Sequence, residues 1–568
     1  MKTTVHLAGF DDYRSLINDT VENLRKESII ERIHEKDHTV WKPEPKEISN
    51  RLGWLTAPDD MSSEVGSINR FVAECRSEGF TNAVLLGMGG SSLAPEVFRR
   101  TFGFRHDYLD LSILDSTDPG AILHHTTRMN PARTLVVVST KSGTTVETLS
   151  LFKLLYTLIA DDRGAAVAGD HFTAVTDPGS PLVGLAGERG FRHVFLNDPD
   201  TGGRYSALSF FGLVPAALCG IDISYLLIRG AAAARSFETT GDISETTNPA
   251  AFLGALLGSL AMAGRDKLTF LISPQVESFG AWLEQLIAES LGKEGRGILP
   301  VVNEPEAPVE TYGRDRLFLH LKLAWDRSID ERADALIRAG YPVITVTIKD
   351  LYELGGQCFF WEAAVAVAGQ VMSVNPFDQP DVEASKHLTR LFLDEYRETG
   401  RFPPEAPSQQ ENGITVYGGP DGAVTLHDAL GTFLGRVREG AYLGILAFLK
   451  QKAEIDRALA EFREVVLTRF HCSTSVGYGP RYLHSTGQLY KGDGGSGLFI
   501  LFTANDAHDI HIPDEADEPD PSLFFGVLKT AQARADRRAL LEAGRPTLAV
   551  HLGNDPVTGI RRLTELIA

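Results

Sequence analysis

Residues 83–92 read AVLLGMGGSS, and residues 135–145 read LVVVSTKSGTT. Each stretch is an apolar run of strand length that passes into glycine and hydroxyl residues and then into a helical pattern. Two strand–loop–helix units in succession predict a parallel sheet, because parallel strands need a crossover and a helix supplies it. Ligands of such sheets lie beyond the carboxyl ends of the strands. Free N–H groups at a helix start, flanked by hydroxyls, favour an anion there.

The alternation extends outward from these stretches. Helix 65–78 precedes strand 82–87, and helix 93–102 follows it. Strand 111–115 comes next, then strand 134–139, helix 146–160 and strand 172–176. A second unit starts near 248, with strand 267–273, amphipathic helix 279–291, strands near 316–322 and 342–348, and an apolar helix at 359–372. Residues 401–426, rich in Pro, Gly and Glu, predict a surface excursion. Strands are expected at 497–503 and 546–551, and the acidic stretch 514–522 reads as a loop. The division expected is an N-terminal arm (1–64), a first α/β unit (65–247), a second (248–390) and a C-terminal α/β region (391–568). The fold class is α/β: two doubly wound parallel-sheet units, each a three-layer α/β/α arrangement, with the arm and a mixed C-terminal region.

The 568 residues include 55 basic and 75 acidic side chains, a formal net charge of −20. That balance argues against a nucleic-acid partner, which needs clustered Lys and Arg. Cys75, Cys219, Cys358 and Cys472 are widely separated and form no CxxC pair, so zinc-ligand spacing is absent and a reduced, cytoplasmic setting is expected. The apolar stretch 208–228 contains Pro215 and Asp222, which predicts a core helix and a turn rather than a membrane span. The first residues lack an apolar core of signal-peptide length.

The first loop nearly matches a dinucleotide fingerprint, but its sixth position is Ser92 where that pattern needs glycine. Asp110 and Asp115 are only loosely placed to hold a ribose. The second loop favours a monophosphate. Ser139, Thr140, Ser142, Thr144 and Thr145 surround Lys141 and Gly143, whereas a helix cap needs one hydroxyl. Hydroxyls, N–H groups and a lysine suit a dianionic phosphate. Gly90, Ser91, Ser139, Thr140, Lys141, Ser142 and Thr145 are the expected phosphate contacts.

The two loops resemble those of the sugar isomerase (SIS) fold. Four further stretches resemble the phosphoglucose isomerase family: 202–206 (GGRYS), 289–293 (ESLGK), 375–380 (NPFDQP, followed by Val382 and Glu383) and 484–491 (HSTGQLYK). The resemblance spans about 65–500 in consistent order. It looks closest to the isomerase part of transaldolase–phosphoglucose isomerase fusions. It implies reversible conversion of glucose 6-phosphate to fructose 6-phosphate through a cis-enediol, with a small hexose 6-phosphate as partner, no cofactor and no metal. It also implies a homodimer, and it leaves room for association with a separate transaldolase. By the same resemblance Glu289 is the proton-moving carboxylate, Arg204 steadies the enediolate, and Lys491 assists ring opening. A dual phosphoglucose/phosphomannose isomerase and a non-catalytic sugar-phosphate binder are the alternatives.

One departure from the family pattern stands out. A histidine is expected soon after the ESLGK stretch, yet residues 294–319 contain none. His320 lies in a strand-like pattern that suits a core histidine, and Tyr312 or Arg314 could fill the space. His484 is the favoured replacement.

Overall fold

The computed structural model describes residues 4–419, 423–516 and 522–568. Residues 420–422 of the expected surface excursion, and 517–521 of the expected acidic loop, lie outside the described residues. The first sheet has the order Asp110–Leu114, Asn82–Leu86, Thr134–Ser139, Phe172–Thr176, His193–Leu196, all parallel. Every residue of Thr134–Ser139 is buried, as expected of a strand covered on both faces. The chain leaves Asn82–Leu86 toward one edge and Thr134–Ser139 toward the other. The gap between their carboxyl ends is therefore a topological switch point, and both quoted loops meet there.

The second sheet runs Thr4–Ala8, Val343–Ile348, Arg316–Leu323, Lys267–Ile272, Leu299–Val301. It is parallel except for Thr4–Ala8, which pairs antiparallel with Val343–Ile348. The arm thus contributes an edge strand as well as two helices, Arg14–Lys26 and Ile29–His34. Trp54 of the arm is fully buried between Tyr205 and Phe359, with ring centroids 5.5 and 5.4 Å away. Through it, the arm is wedged between residues of the first and second units.

The C-terminal region, read from sequence as a mixture, carries a third sheet: Gln409–Glu411, Ile414–Tyr417, Thr547–His551, Gly497–Thr503, Tyr442–Phe448, Ser473–Tyr478. The last four strands are parallel. Stretch 208–228 forms helix Phe210–Leu218, a turn, and the start of helix Ile223–Phe237, which Asp222 caps. Among the described residues no helix is long and apolar enough to cross a membrane. The four cysteines are buried and unpaired.

Helix Phe279–Leu291 positions the chemistry. It ends at Gly292, where a Cβ would lie 2.5 Å from the Leu489 backbone, so only glycine admits that approach. Glu284 lies on the same helix. It lines a cavity of about 430 Å³ shared with Arg463 and Arg481. Burial pushes its carboxyl up to about 7, against the pull of the two guanidinium groups.

Two outcomes follow from this packing. Trp54→Ala should cost about 3–5 kcal/mol, the range for a fully buried aromatic, and lower the urea midpoint. Glu284 takes up protons in the folded chain at a higher pH than in the unfolded chain. Between the ordinary glutamate value and about 7, its contribution to stability therefore falls as pH rises. Glu284→Gln should flatten that part of the stability–pH curve and raise the urea midpoint above pH 7. An unchanged curve would show the carboxyl to be solvated after all.

Candidate active site

The switch point of the first sheet opens into a cavity of about 510 Å³. Gly90, Ser91, Ser139, Thr140, Lys141, Ser142 and Thr145 all line it. Helix Gly90–Phe102 starts three residues earlier than the sequence reading placed it, so Gly90 and Ser91 sit in its first turn. Gly90 abuts the opposite wall: a Cβ there would stand 2.0 Å from the Gly203 carbonyl. Thr145 is the N-cap of helix Val146–Arg163, yet its side chain makes no capping bond. Its hydroxyl pairs with that of Thr140 at 2.9 Å, and Ser142 pairs with Thr144 at 2.9 Å. The first-turn N–H groups of that helix therefore remain available to an anion. Gly143, with φ of 67°, provides the left-handed step that turns this loop. Lys141 lines the cavity, but its ammonium is ion-paired with Asp177 and also donates to the Pro199 carbonyl at 2.8 Å.

Arg204 and Glu289 stand at the same cavity. Arg204 is 4% exposed. Its Nε donates to Ser290 Oγ at 2.8 Å, Nη1 to Gln379 Oε1 at 3.0 Å, and Nη2 to the carbonyls of Pro376 at 2.7 Å and Asp378 at 2.9 Å. Nη1 also lies 3.4 Å from Glu289 Oε1. The other Glu289 oxygen accepts from Gln285 Nε2 at 2.9 Å. The Gln285 amide also donates to the His484 carbonyl at 2.9 Å, which ties the carboxylate-bearing helix to the 484 turn. Lys293 is buried beside them, with Nζ 2.8 Å from Asp378 Oδ1 and 2.8 Å from the Asn375 carbonyl. Burial, helped by the Arg204 charge, pushes its ammonium down to about 8.

His484 lines the cavity, and Nε2 sits 3.0 Å from Oε1 of Glu147. Glu147 is buried, in the first turn of helix Val146–Arg163. Burial raises its carboxyl, but the charge and hydrogen bond of His484 outweigh that and hold it below the usual range. Gln532 Nε2 donates to the same Glu147 oxygen at 2.7 Å, and Thr117 Oγ1 donates to Gln532 at 2.8 Å. Sequence reasoning missed Glu147, Gln285 and Gln532. The one available signal for Glu147 was its place two residues after the hydroxyl loop.

Lys491 does not line the cavity. Its ammonium is 2.7 Å from Asp536 Oδ1 and donates to the Gly487 carbonyl at 3.1 Å. Asp536 also accepts from Tyr482 Oη at 2.6 Å and Ser385 Oγ at 3.0 Å, so Lys491 helps brace the turn that carries His484. His320 is a core residue, with Nδ1 3.2 Å from Thr345 Oγ1. Tyr312 belongs to a separate cluster and accepts from Arg332. Asp115 is buried and accepts from Ser92 Oγ at 3.1 Å, with Arg481 3.4 Å away, so it is not free for a ribose.

Comparison with known proteins agrees with this arrangement. Residues 70–309 match the model of the family described as phosphoglucose isomerase. A glucose-6-phosphate isomerase of Rubrobacter xylanophilus is 29% identical over 369 residues, 55% of this chain and 83% of that protein. One from Cyanothece sp. (strain PCC 7425) is 32% identical over 402 residues, 60% of this chain and 74% of its own length. The crystal structure of a glucose-6-phosphate isomerase from Chlamydia trachomatis aligns with a TM-score of 0.57 at 19% identity. That alignment covers 68% of this chain and 87% of the other, which establishes a shared fold. With hydroxyl loops and an arginine-paired carboxylate at one cleft, and relatives aligned over most of their length, the chain belongs to the phosphoglucose isomerase family.

Proposed function

We propose that the chain interconverts glucose 6-phosphate and fructose 6-phosphate. The observation that carries this reading is that Glu289, paired with Arg204, shares one cavity with the hydroxyl loop 139–145. A phosphate anchored at the start of helix Val146–Arg163 leaves the far end of an opened hexose to reach the carboxylate. Glu289 takes the proton from C2, and the freed electron pair forms the C1–C2 double bond as O1 gains negative charge. O1 then takes up a proton as the O2 hydroxyl gives one up, and returning the carbon-bound proton to C1 leaves a hydroxyl at C1 and the carbonyl at C2. The electrons move within the substrate, so the step itself calls for no redox partner. Arg204 is held by four hydrogen bonds, so its guanidinium stays in place beside the enediolate. A non-catalytic sugar-phosphate binder would not need this pair at the cleft.

His484 is the proposed ring-opening acid–base. Glu147 orients the imidazole through Nε2, much as a carboxylate orients the histidine of a hydrolase triad. Lys491 is proposed to act through the turn rather than on the sugar, because Asp536 holds its ammonium. Ser91, Thr140, Ser142 and Thr145 are the proposed phosphate donors, with Lys141 setting the loop through Asp177. A homodimer and association with a separate transaldolase are proposals that rest on the resemblance, and a cytoplasmic setting is one that rests on the unpaired cysteines.

Glu289→Gln should leave fructose 6-phosphate binding nearly intact and lower kcat by at least about 10²-fold, the lower end of acid–base contributions. A coupled assay with glucose 6-phosphate and, in parallel, mannose 6-phosphate measures this and fixes the substrate. Near-normal turnover would remove Glu289 from the role. His484→Ala and Glu147→Gln should each reduce turnover of ring-closed substrate, and the double variant should lose little more than His484→Ala alone, because the pair works as a unit. Full additivity would separate the two residues.

A further inference from the structure

The third sheet repeats the topology that makes the first sheet's cleft. Strand Tyr442–Phe448 leaves through helix Ala453–Phe470 to Ser473–Tyr478 on one side. Its neighbour Gly497–Thr503 leaves through helix Phe525–Glu542 to Thr547–His551 on the other. The two helices cover opposite faces. Phe462 and Val466 pack with Leu443 and Ile445, whereas Ala533 and Leu540 pack with Tyr442 and Leu446. The carboxyl ends of the two central strands thus part at a second switch point, the place where doubly wound sheets take ligands. A cavity of about 420 Å³ opens there, lined among others by Lys450, Lys452, Lys529, His124, Asn505 and Asn554. The strands that build it lie beyond the stretch 70–309 matched by the family model.

The charge in this crevice is unbalanced. Lys529 is neutralised by Asp118 at 2.9 Å and by Asp506. Lys450 and Lys452, by contrast, have no carboxylate within ion-pair distance among the described residues. Lys450 lies across the start of helix Pro119–Thr126, where its Cδ would stand 3.1 Å from a Cβ on Gly120. Lys452 is the N-cap of helix Ala453–Phe470, whose cap makes no side-chain bond. Burial, with the charges of Arg128 and Lys450, holds His124 below its ordinary range, and His125 is lowered similarly. Asn505 donates to Asn554 at 2.8 Å across the floor, a pair of amides suited to hydroxyl groups.

We propose that this crevice is a second anion site, distinct from the isomerisation cleft, that binds a small phosphate monoester through Lys450 and Lys452. Two ammonium groups match a dianionic phosphate. The volume is close to that of the first cleft, which sets the size of the remainder at a few carbons bearing hydroxyls or a carboxylate. The wall of the crevice also reaches the proton-moving pair. Lys529 and Gln532 lie one turn apart on helix Phe525–Glu542, and Gln532 holds Glu147, the partner of His484.

The test is calorimetric titration of the full chain with 3-phosphoglycerate at constant ionic strength. The wild type should bind two equivalents. Lys450→Ala with Lys452→Ala changes one half-buried and one exposed side chain, so the fold should persist, and turnover on glucose 6-phosphate should be unchanged. That variant should lose one equivalent, seen as at least about a tenfold weaker second affinity. Ser142→Ala with Thr145→Val should lose the other equivalent and keep the lysine-dependent one. A lysine variant that still binds two equivalents with unchanged affinities would overturn the proposal. So would a wild type that binds a single equivalent abolished by the Ser142 and Thr145 changes, and that result would leave the reading of the first cleft intact.

Discussion

The buried guanidinium of Arg204 sets the geometry of the whole site. A charge this far from water is tolerated only when it is paired and its donors are bonded. Arg204 comes from the first unit, and every group that satisfies it comes from the second: Ser290 and Glu289 at the end of one helix, and the 376–379 segment after another. Shifting either unit would strand the charge, so the two are held in one register. The turn just before Arg204 also fixes the first glycine loop, because the Gly203 carbonyl packs where a Gly90 side chain would be. The segment around one arginine thereby ties the first glycine loop to the carboxylate of Glu289.

What the sequence made legible was local. The second hydroxyl loop, helix Phe279–Leu291 and strand Thr134–Ser139 carry their signals in consecutive residues, and the structure places them within a residue or so of expectation, whereas the first loop turns helical three residues early. Pairings distant in sequence were not legible. Nothing within residues 4–8 says that they pair with Val343–Ile348, since an edge strand is chosen by the sheet it meets. In the third sheet, strands Gly497–Thr503 and Thr547–His551 were expected, but the others escaped for a related reason. Its strand Tyr442–Phe448 is buried throughout and lacks the alternation that separates strand from helix in a short apolar run.

The site residues divide along the same line. Glu289, Arg204 and the hydroxyl loop were named from motifs, and they converge on one cavity. Lys491 was named from a motif too, but its ammonium is held by Asp536, a residue 45 positions away on another helix. Glu284 and Glu289 lie on the same helix and look alike in sequence, yet they face different cavities. Five residues correspond to 500° of helical rotation, about 140° apart around the axis, and that angle separates the two carboxylates.

The dependence between the first unit and the C-terminal region runs through Glu147. Its carboxylate is buried in the first unit, and its recorded side-chain partners, His484 and Gln532, both come from beyond residue 480. A buried carboxylate without such partners would either take up a proton or destabilise its surroundings. The C-terminal region is therefore an electrostatic requirement of the first unit as well as the source of a histidine. Residues 294–319 contain no histidine. The turn 481–485 delivers an imidazole to the cleft from a different direction, and the Asp536 hub, with donors from Lys491, Tyr482 and Ser385, holds that turn in place.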